Sequence, residues 1–358
     1  FDAALIIFLA VQFIAMTAWY ALNDSPVKVI CYKAAMGLSC ALCLAVIVIS
    51  LIKRVYRLKD FIMLACFGAV TLASWYFSRT TLLLWMFLLI MAAYRQNARR
   101  IITISAAVTG AFLVCTILFS RIGILDDFIF DETTRVRHGL GYNWTTNAPT
   151  LLFFLGLQYI FLRREKMRFW EYIILEAANV CLYIVTDTSQ PFFLMSAYLV
   201  FFFIEGLFRH HFRVLKHLDL LFIVLPAAAC AVTLIIYLAY RPETGLWTSL
   251  NRFLNHRLEY GRQGFAAFGL TPFGQEIAWV GNGIASLPGS YNYVDCSYMQ
   301  ILFNYGAVFL AGAAFIYTVM EKNALKAQDH YLAVIIVLVL IHSFTEPRLF
   351  DMTFNILP

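Results

Sequence analysis

Charge is scarce in this chain. Only 13% of its 358 residues are Asp, Glu, Lys or Arg, about half the share usual in a soluble globular domain. Hydrophobic residues make up 62%, so there is too little polar surface to cover the chain in water. These shortages exclude a cytoplasmic enzyme, a secreted domain and a disordered chain. No P-loop, GxGxxG fingerprint, HExxH or GxSxG motif occurs, which removes an ATP site that could drive a pump. Internal repeats and low-complexity tracts are missing too. None of the eight cysteines forms a CxxC…CxxC spacing, and Cys40 and Cys43 lie inside an apolar run. They are expected to be soft, buried filler.

What the chain has is apolar length. Eleven apolar runs lie at approximately 1–21, 34–52, 60–77, 80–94, 101–120, 150–162, 170–186, 190–208, 218–240, 298–319 and 330–345. About 20 helical residues cross a bilayer, so each run predicts a span. Runs 80–94 and 150–162 are short and would need tilt, snorkelling or local thinning. The first run has no basic segment before it and no cleavage-like site, so it reads as a span and not as a signal peptide. Phe1 stands where a Met would start a chain, so an incomplete start is expected, and 347–358 reads as the beginning of a twelfth helix. The expected fold class is all-α, a polytopic integral membrane helical bundle of about 11–12 transmembrane helices forming one domain over 1–358.

The basic residues set an orientation. One series of short loops holds Lys53, Arg54, Arg57 and Lys59; Arg95, Arg99 and Arg100; Arg163, Arg164, Lys166 and Arg168; Arg209, Arg213 and Lys216; Lys322 and Lys326. The other series is thinly charged, and most of its basic residues are spread over two long loops, 121–149 and 241–297. Short-loop Lys and Arg face the cytoplasm. Residue 1 is therefore expected inside and both long loops outside. The net charge of +6 comes from these clusters, so no nucleic-acid partner is expected.

Long loops in a bundle of short ones are where function is expected. The first contains Arg135, Arg137, His138, Gly139, Gly141, Tyr142, Asn143, Trp144 and Asn147. Arginine forks suit phosphate, aromatic faces suit sugars, and glycines allow close approach. The same residues would also suit anionic headgroups at an interface. In the second loop, Leu250–Phe268 reads as one amphipathic helix near the membrane. There Arg252, His256, Glu259 and Arg262 share a face, with Arg257 displaced. His256 and Glu259 form an acid/base pair on this reading, supported by the arginines, or else a solvated surface face. Asp295 is either a helix cap or an arginine's partner. Arg79, Asp187, His342, Glu346 and Arg348 fall at span ends on the same outer side. Ionisable groups there line a wet polar site or clamp helix ends to each other. Glu176 lies mid-span with no partner evident.

Four stretches carry a resemblance: SWYFSRTTLLL at 74–84; RVRHGLGYNWTTNAP at 135–149; LNHRLEYGRQGFAAFGLTPFGQEI at 254–277 with YNYVDCSYMQILFNYG at 291–306; and HSFTEPRLFDMTFN at 342–355. With the topology, the chain resembles the Wzy-type polymerases of O-antigen, capsular or exopolysaccharide repeat units, within the O-antigen ligase-like superfamily. One departure is DTSQ at 187–190, where relatives often carry an SR pair; Gln190 lacks that arginine's charge. The resemblance implies a metal-independent glycosyltransferase without cofactor in a bacterial plasma membrane, its active site on the extracytoplasmic side. One undecaprenyl diphosphate-linked glycan is the donor and the terminal hydroxyl of another lipid-linked repeat unit the acceptor. Undecaprenyl diphosphate leaves. On this reading Arg257 and Arg262 hold the diphosphate and Arg135 or Arg137 closes over it, with Arg79 and Arg252 as further contacts. His256, in preference to Glu259, takes the acceptor proton. His138, Tyr142, Asn143, Asp295, His342 and Glu346 contact sugar or orient arginines. A chain-length regulator and a flippase of the same pathway are the implied protein partners. The alternatives are a ligase-like transferase with a different acceptor and a transporter of lipid-linked oligosaccharides.

The orientation is testable with reporters fused after Ala148 and after Arg163. They should report opposite sides, and a shared side would overturn the assignment.

Overall fold

The computed structural model describes residues 1–132, 135–208, 218–283, 289 and 291–357; the expected basic loop residues Arg209, Arg213 and Lys216 lie outside these. The protein is an all-α, polytopic membrane helical bundle. All eleven apolar runs fall on helices, but their lengths correct the expected number of full spans. Among the described residues, seven helices are long and apolar enough to cross a membrane: α3 (Pro26–Ile52), α4 (Leu58–Ser78), α6 (Ala98–Arg121), α8 (Phe169–Thr186), α9 (Ser189–Phe208), α10 (Asp219–Ala239) and α13 (Ser297–Lys326). The others are shorter: α1 (Asp2–Ala15), which is followed by the single turn α2 (Ala18–Leu22), α5 (Thr81–Ala93), α7 (Asn147–Arg163) and α14 (His330–His342). Residues 343–357 form turns, not the start of a twelfth helix. Four of the cysteines taken for buried filler, Cys31, Cys66, Cys115 and Cys181, are instead on the outer surface of spans, and all eight are free thiols.

The chain divides into two compact units. The first comprises Phe1–Arg57, Leu88–His211 and Asn282–Ala285. In it α1 packs on α3 and α6, α6 on α7, and α7 on both α8 and α9. Here α7 is central: 13 of its 17 residues are buried. A helix that is apolar all round and enclosed by other helices need not match the bilayer thickness, which is why the short run at 150–162 needs neither tilt nor thinning. Gly156 allows this packing, because a Cβ there would meet the Tyr198 hydroxyl at 2.1 Å. Tyr198 donates to the Phe153 carbonyl at 3.1 Å. Glu176 has its partner on the neighbouring span: Ser196 donates to it at 2.6 Å. The first long loop holds a hairpin that the sequence reading missed, β1 (Ile129–Glu132) with β2 (Arg135–His138), in which Phe130 faces Arg137 and Ile129 faces His138.

The second unit comprises Leu58–Phe87, Phe212–Gly281 and Ser286–Pro358. There α13 packs on α4, α10 and α14. At Gly306 (φ 90°, ψ 170°) α13 is sharply broken, so it is a short segment, 297–305, followed by a longer one, 307–326. A break strips backbone groups of their helical partners, and each must find another. The irregular stretch before Gln275 supplies them. Thr271 O accepts from Ala307 N at 2.9 Å, Pro272 O from Val308 N at 3.0 Å, and Asn304 O from Gln275 N at 3.2 Å. Ser74 on α4 donates to Tyr305 O at 2.7 Å. Two glycines make this crossing possible. A Cβ on Gly306 would lie 2.4 Å from Gly274 N, and one on Gly274 would lie 1.9 Å from Asn304 O.

The expected helix over Leu250–Phe268 is two helices, α11 (Gly245–Phe253) and α12 (Arg257–Phe268). Asn255 (φ 50°) and His256 (φ 62°) adopt the left-handed region between them. Asn251 causes the break. Its carbonyl accepts from His256 N at 2.8 Å, closing the end of α11. Its side-chain oxygen accepts from Glu259 N at 3.2 Å, starting α12.

Gly306→Ala should destabilise the protein by on the order of 2–4 kcal/mol through clash and backbone strain. Gly37→Ala on α3, whose new Cβ would meet nothing within 4 Å, should be neutral or slightly stabilising. Thermal unfolding in detergent followed by intrinsic fluorescence compares the two. Equal midpoints would remove the crossing from the account of the fold.

Candidate functional site

In the first unit the hairpin arranges the first loop's charged residues. Successive strand residues alternate between faces, so Arg135 and Arg137 share one and His138 lies on the other. Arg137 is buried. Its Nε donates to Thr186 O at 2.9 Å and a terminal nitrogen donates to Thr188 Oγ1 at 3.1 Å. Its guanidinium lies 5.8 Å from the Trp144 ring centroid, and Phe130 meets that ring edge-on at 5.3 Å. Arg135 pairs with Asp187 at 3.4 Å, with 42% and 38% of the two side chains exposed. Asp187 ends α8 in the left-handed conformation. The DTSQ departure is thus the turn on which both hairpin arginines dock.

His138 has an oriented partner. Its Nδ1 lies 2.7 Å from Asp127 Oδ2, and Asp127 Oδ1 accepts from Leu140 N at 2.7 Å. A carboxylate at Nδ1 holds the proton on that nitrogen and leaves Nε2 as the basic one. Tyr142 is fully buried, and its backbone bridges Thr17. Burial pushes its hydroxyl's pKa up. It anchors the loop and offers no surface to a substrate. Asn143 accepts from Asn147 Nδ2 at 2.8 Å, at the start of α7.

In the second unit the residues expected to share a site separate. His256 Nδ1 and Glu259 Oε2 are 3.4 Å apart, but 60% and 46% of the side chains are exposed. The helix break, not a shared helical face, brings them together. Arg252 is exposed at the end of α11, and Arg262 donates to the Tyr240 carbonyl. Arg79 adopts a left-handed conformation and lies over the Tyr76 ring at 4.9 Å. Arg257 is better enclosed and lies 3.9 Å from Asp295. The charges of Arg348 and Arg257 both bear on the fully buried His342. Glu346 is buried, and its carbonyl accepts from Ser297 Oγ at 2.6 Å. Arg348 pairs with Asp351 at 3.1 Å and lies over Phe354 at 4.2 Å. Burial works against the Arg348 charge, but Asp351, Tyr293 and Glu346 outweigh it and raise its pKa. Burial also raises the Tyr293 hydroxyl to about 12. Arg257, Asp295, His342, Glu346 and Arg348 therefore do converge, while Arg79, Arg252 and Arg262 are tied to local backbone or rings or lie in the open.

Sequence reasoning missed Asp127, Thr186, Thr188, Asn251 and Asp351. The apolar alternation of Phe128 and Phe130 before Arg135 was the available signal for the hairpin, and with it for Asp127. Comparison with family models, with curated proteins and with solved structures finds no match to this chain.

Asp127→Ala should speed hydrogen exchange at the Leu140 amide by about tenfold, since a charged acceptor contributes about 1.5–3 kcal/mol, less where partly exposed. Exchange in the middle of α7 should stay unchanged. An unaffected Leu140 amide would remove Asp127 as the loop's anchor.

Proposed function

We propose that this chain is a polysaccharide polymerase. It transfers an undecaprenyl diphosphate-linked glycan to the terminal hydroxyl of another lipid-linked repeat unit and releases undecaprenyl diphosphate. The observation that carries this reading lies within the first unit: an imidazole oriented by Asp127 on one face of β2, with two arginines on the other face of that strand, outside the helices of a membrane protein. The four stretches that resemble the Wzy-type polymerases supply the reaction class.

Chemically, the transfer needs three things. The acceptor hydroxyl must lose its proton, and His138 Nε2 takes it while Asp127 stabilises the imidazolium that forms. The glycosidic bond to the donor sugar breaks as the acceptor oxygen attacks its anomeric carbon. The diphosphate leaves with the bonding pair, and a cation must balance its charge. Arg135 and Arg137, on the strand face opposite His138 and bonded to Asp187, Thr186 and Thr188, are this unit's candidates for that part. Trp144 and Phe130 beside Arg137 offer flat apolar faces to a sugar. His138 displaces His256 as the preferred base because its ring is held by a near carboxylate, whereas His256 and Glu259 are a long, solvated pair. Arg257 and Arg262, the first choice for the diphosphate from sequence, belong to the second unit and take no part in this reading. Their engagement by Asp295 and the Tyr240 carbonyl is of the same kind as that of Arg135 by Asp187 and of Arg137 by Thr186 and Thr188. A lipid-linked substrate of this kind implies a bacterial plasma membrane with the first long loop on its outer side.

A reconstituted reaction tests this. Purified protein in liposomes with its host's undecaprenyl diphosphate-linked repeat unit should make a ladder of longer lipid-linked glycans and free undecaprenyl diphosphate. His138→Ala should lower turnover by about 10²–10⁴-fold, with His256→Ala close to wild type. No ladder from folded protein and authentic substrate would end the polymerase reading. Transfer to an added acceptor that is not a repeat unit would make the chain a ligase-like transferase.

A further inference from the structure

Within the second unit, the broken helix α13, the start of α5 and the turns after α14 border a half-open cavity of about 170 Å³. Its polar walls are Tyr293, Ser297, Gln300, Asn304, Tyr305, Arg348 and Asp351. None of Gln300, Asn304, Tyr305 or Asp351 has a role in the transfer described above. We propose that this cavity is a binding subsite for one neutral sugar ring of a glycan.

Size comes first. Pockets for drug-sized ligands start at about 300 Å³. A cavity of about 170 Å³ falls below that range, so it takes one ring of a glycan within its walls while the rest of a longer chain lies outside its open side. Charge comes second. Arg348 and Asp351 are the charged side chains among its lining residues, and they pair with each other at 3.1 Å. Their charges cancel, so the cavity has no net attraction for an anion, and Asp351 would repel one. A neutral polyol fits such a wall, because it donates to the carboxylate and accepts from the guanidinium at once.

Acceptor and donor capacity comes third. Asp351 uses one oxygen on Arg348 and the other on Thr353 N at 3.1 Å. A carboxylate has about four lone-pair sites, so hydroxyls can still be taken up. Asn304 is held in place by Trp279, whose Nε1 donates to its side-chain oxygen at 3.1 Å. That bond leaves the Asn304 amide NH₂ oriented as a donor. Gln300 is likewise fixed, its Nε2 donating to Val294 O at 3.0 Å. Side chains locked by such bonds bind without a further ordering cost. The cavity is bordered by the 297–305 segment before the Gly306 break and by the 347–351 turn.

The inference rests on the proposed polymerase reading for the glycan's role, but its test reads binding alone. Saturation-transfer NMR is recorded on the full-length protein in nanodiscs. The probes are methyl glucoside, methyl galactoside, methyl N-acetylglucosaminide and, as the anionic control, methyl phosphate. At least one glycoside should give ring-proton transfer and methyl phosphate should not. Asp351→Asn and Gln300→Ala should each weaken binding by about tenfold, with thermal midpoints showing that both variants fold. If Asp351→Asn unfolds, Gln300→Ala alone carries the comparison. No glycoside transfer, transfer that both folded variants retain, or transfer to methyl phosphate lost on Gln300→Ala would each overturn the subsite. A polymer ladder without glycoside binding would sink the subsite and leave the polymerase reading standing. Glycoside binding without a ladder would do the reverse.

Discussion

The crossing of the 271–275 backbone with the broken helix α13 is the contact on which the second unit depends. Two chains can approach that closely only where neither carries a Cβ, and Gly274 and Gly306 meet that condition from both sides. The crossing also solves the energetic problem that it creates. A helix broken among apolar neighbours leaves amides and carbonyls with no water to bond, each costing several kcal/mol if left so. Here Thr271, Pro272 and Gln275 meet them backbone to backbone. The segment before the break, 297–305, borders the cavity beside Arg348 and Asp351.

Charge is handled in the same sparing way throughout. A cation out of water must be paired or hydrogen-bonded. Arg137 is bonded to Thr186 and Thr188, Arg348 to Asp351, and Arg257 lies near Asp295. Glu176 within a span is met by Ser196. These arrangements hold loops and spans in place, and they also hold the cations in set geometries. Preorganised charge of this kind suits a reaction in which a diphosphate departs.

The short helices show how position in a bundle changes the length a helix needs. The α7 helix is enclosed by protein, and α14 is apolar on every side. In both, most residues are buried, whereas in each of the longer spans less than half of the apolar window is buried.

Much of the fold was legible in the sequence, because hydropathy is local. A run such as 34–52 or 298–319 declares a helix whatever surrounds it, and all eleven runs became helices. Length against the bilayer was less legible, because a run does not say whether lipid or protein will surround it. The candidate site was legible as a set of residue types and not as a geometry. Arg135, Arg137 and His138 could be picked out. That Asp127 would hold His138 depended on a hairpin whose pairing joins residues about ten apart. The supposed single helix over 250–268 failed for the same kind of reason, since Asn251 closes one helix and opens the next through bonds that a helical wheel does not represent. Composition and hydropathy by themselves determined a membrane-embedded helical chain and where its helices run. The tertiary structure decided which charges meet, because pairing is set by distance in space, and in this chain breaks at Gly306 and Asn255–His256 set those distances.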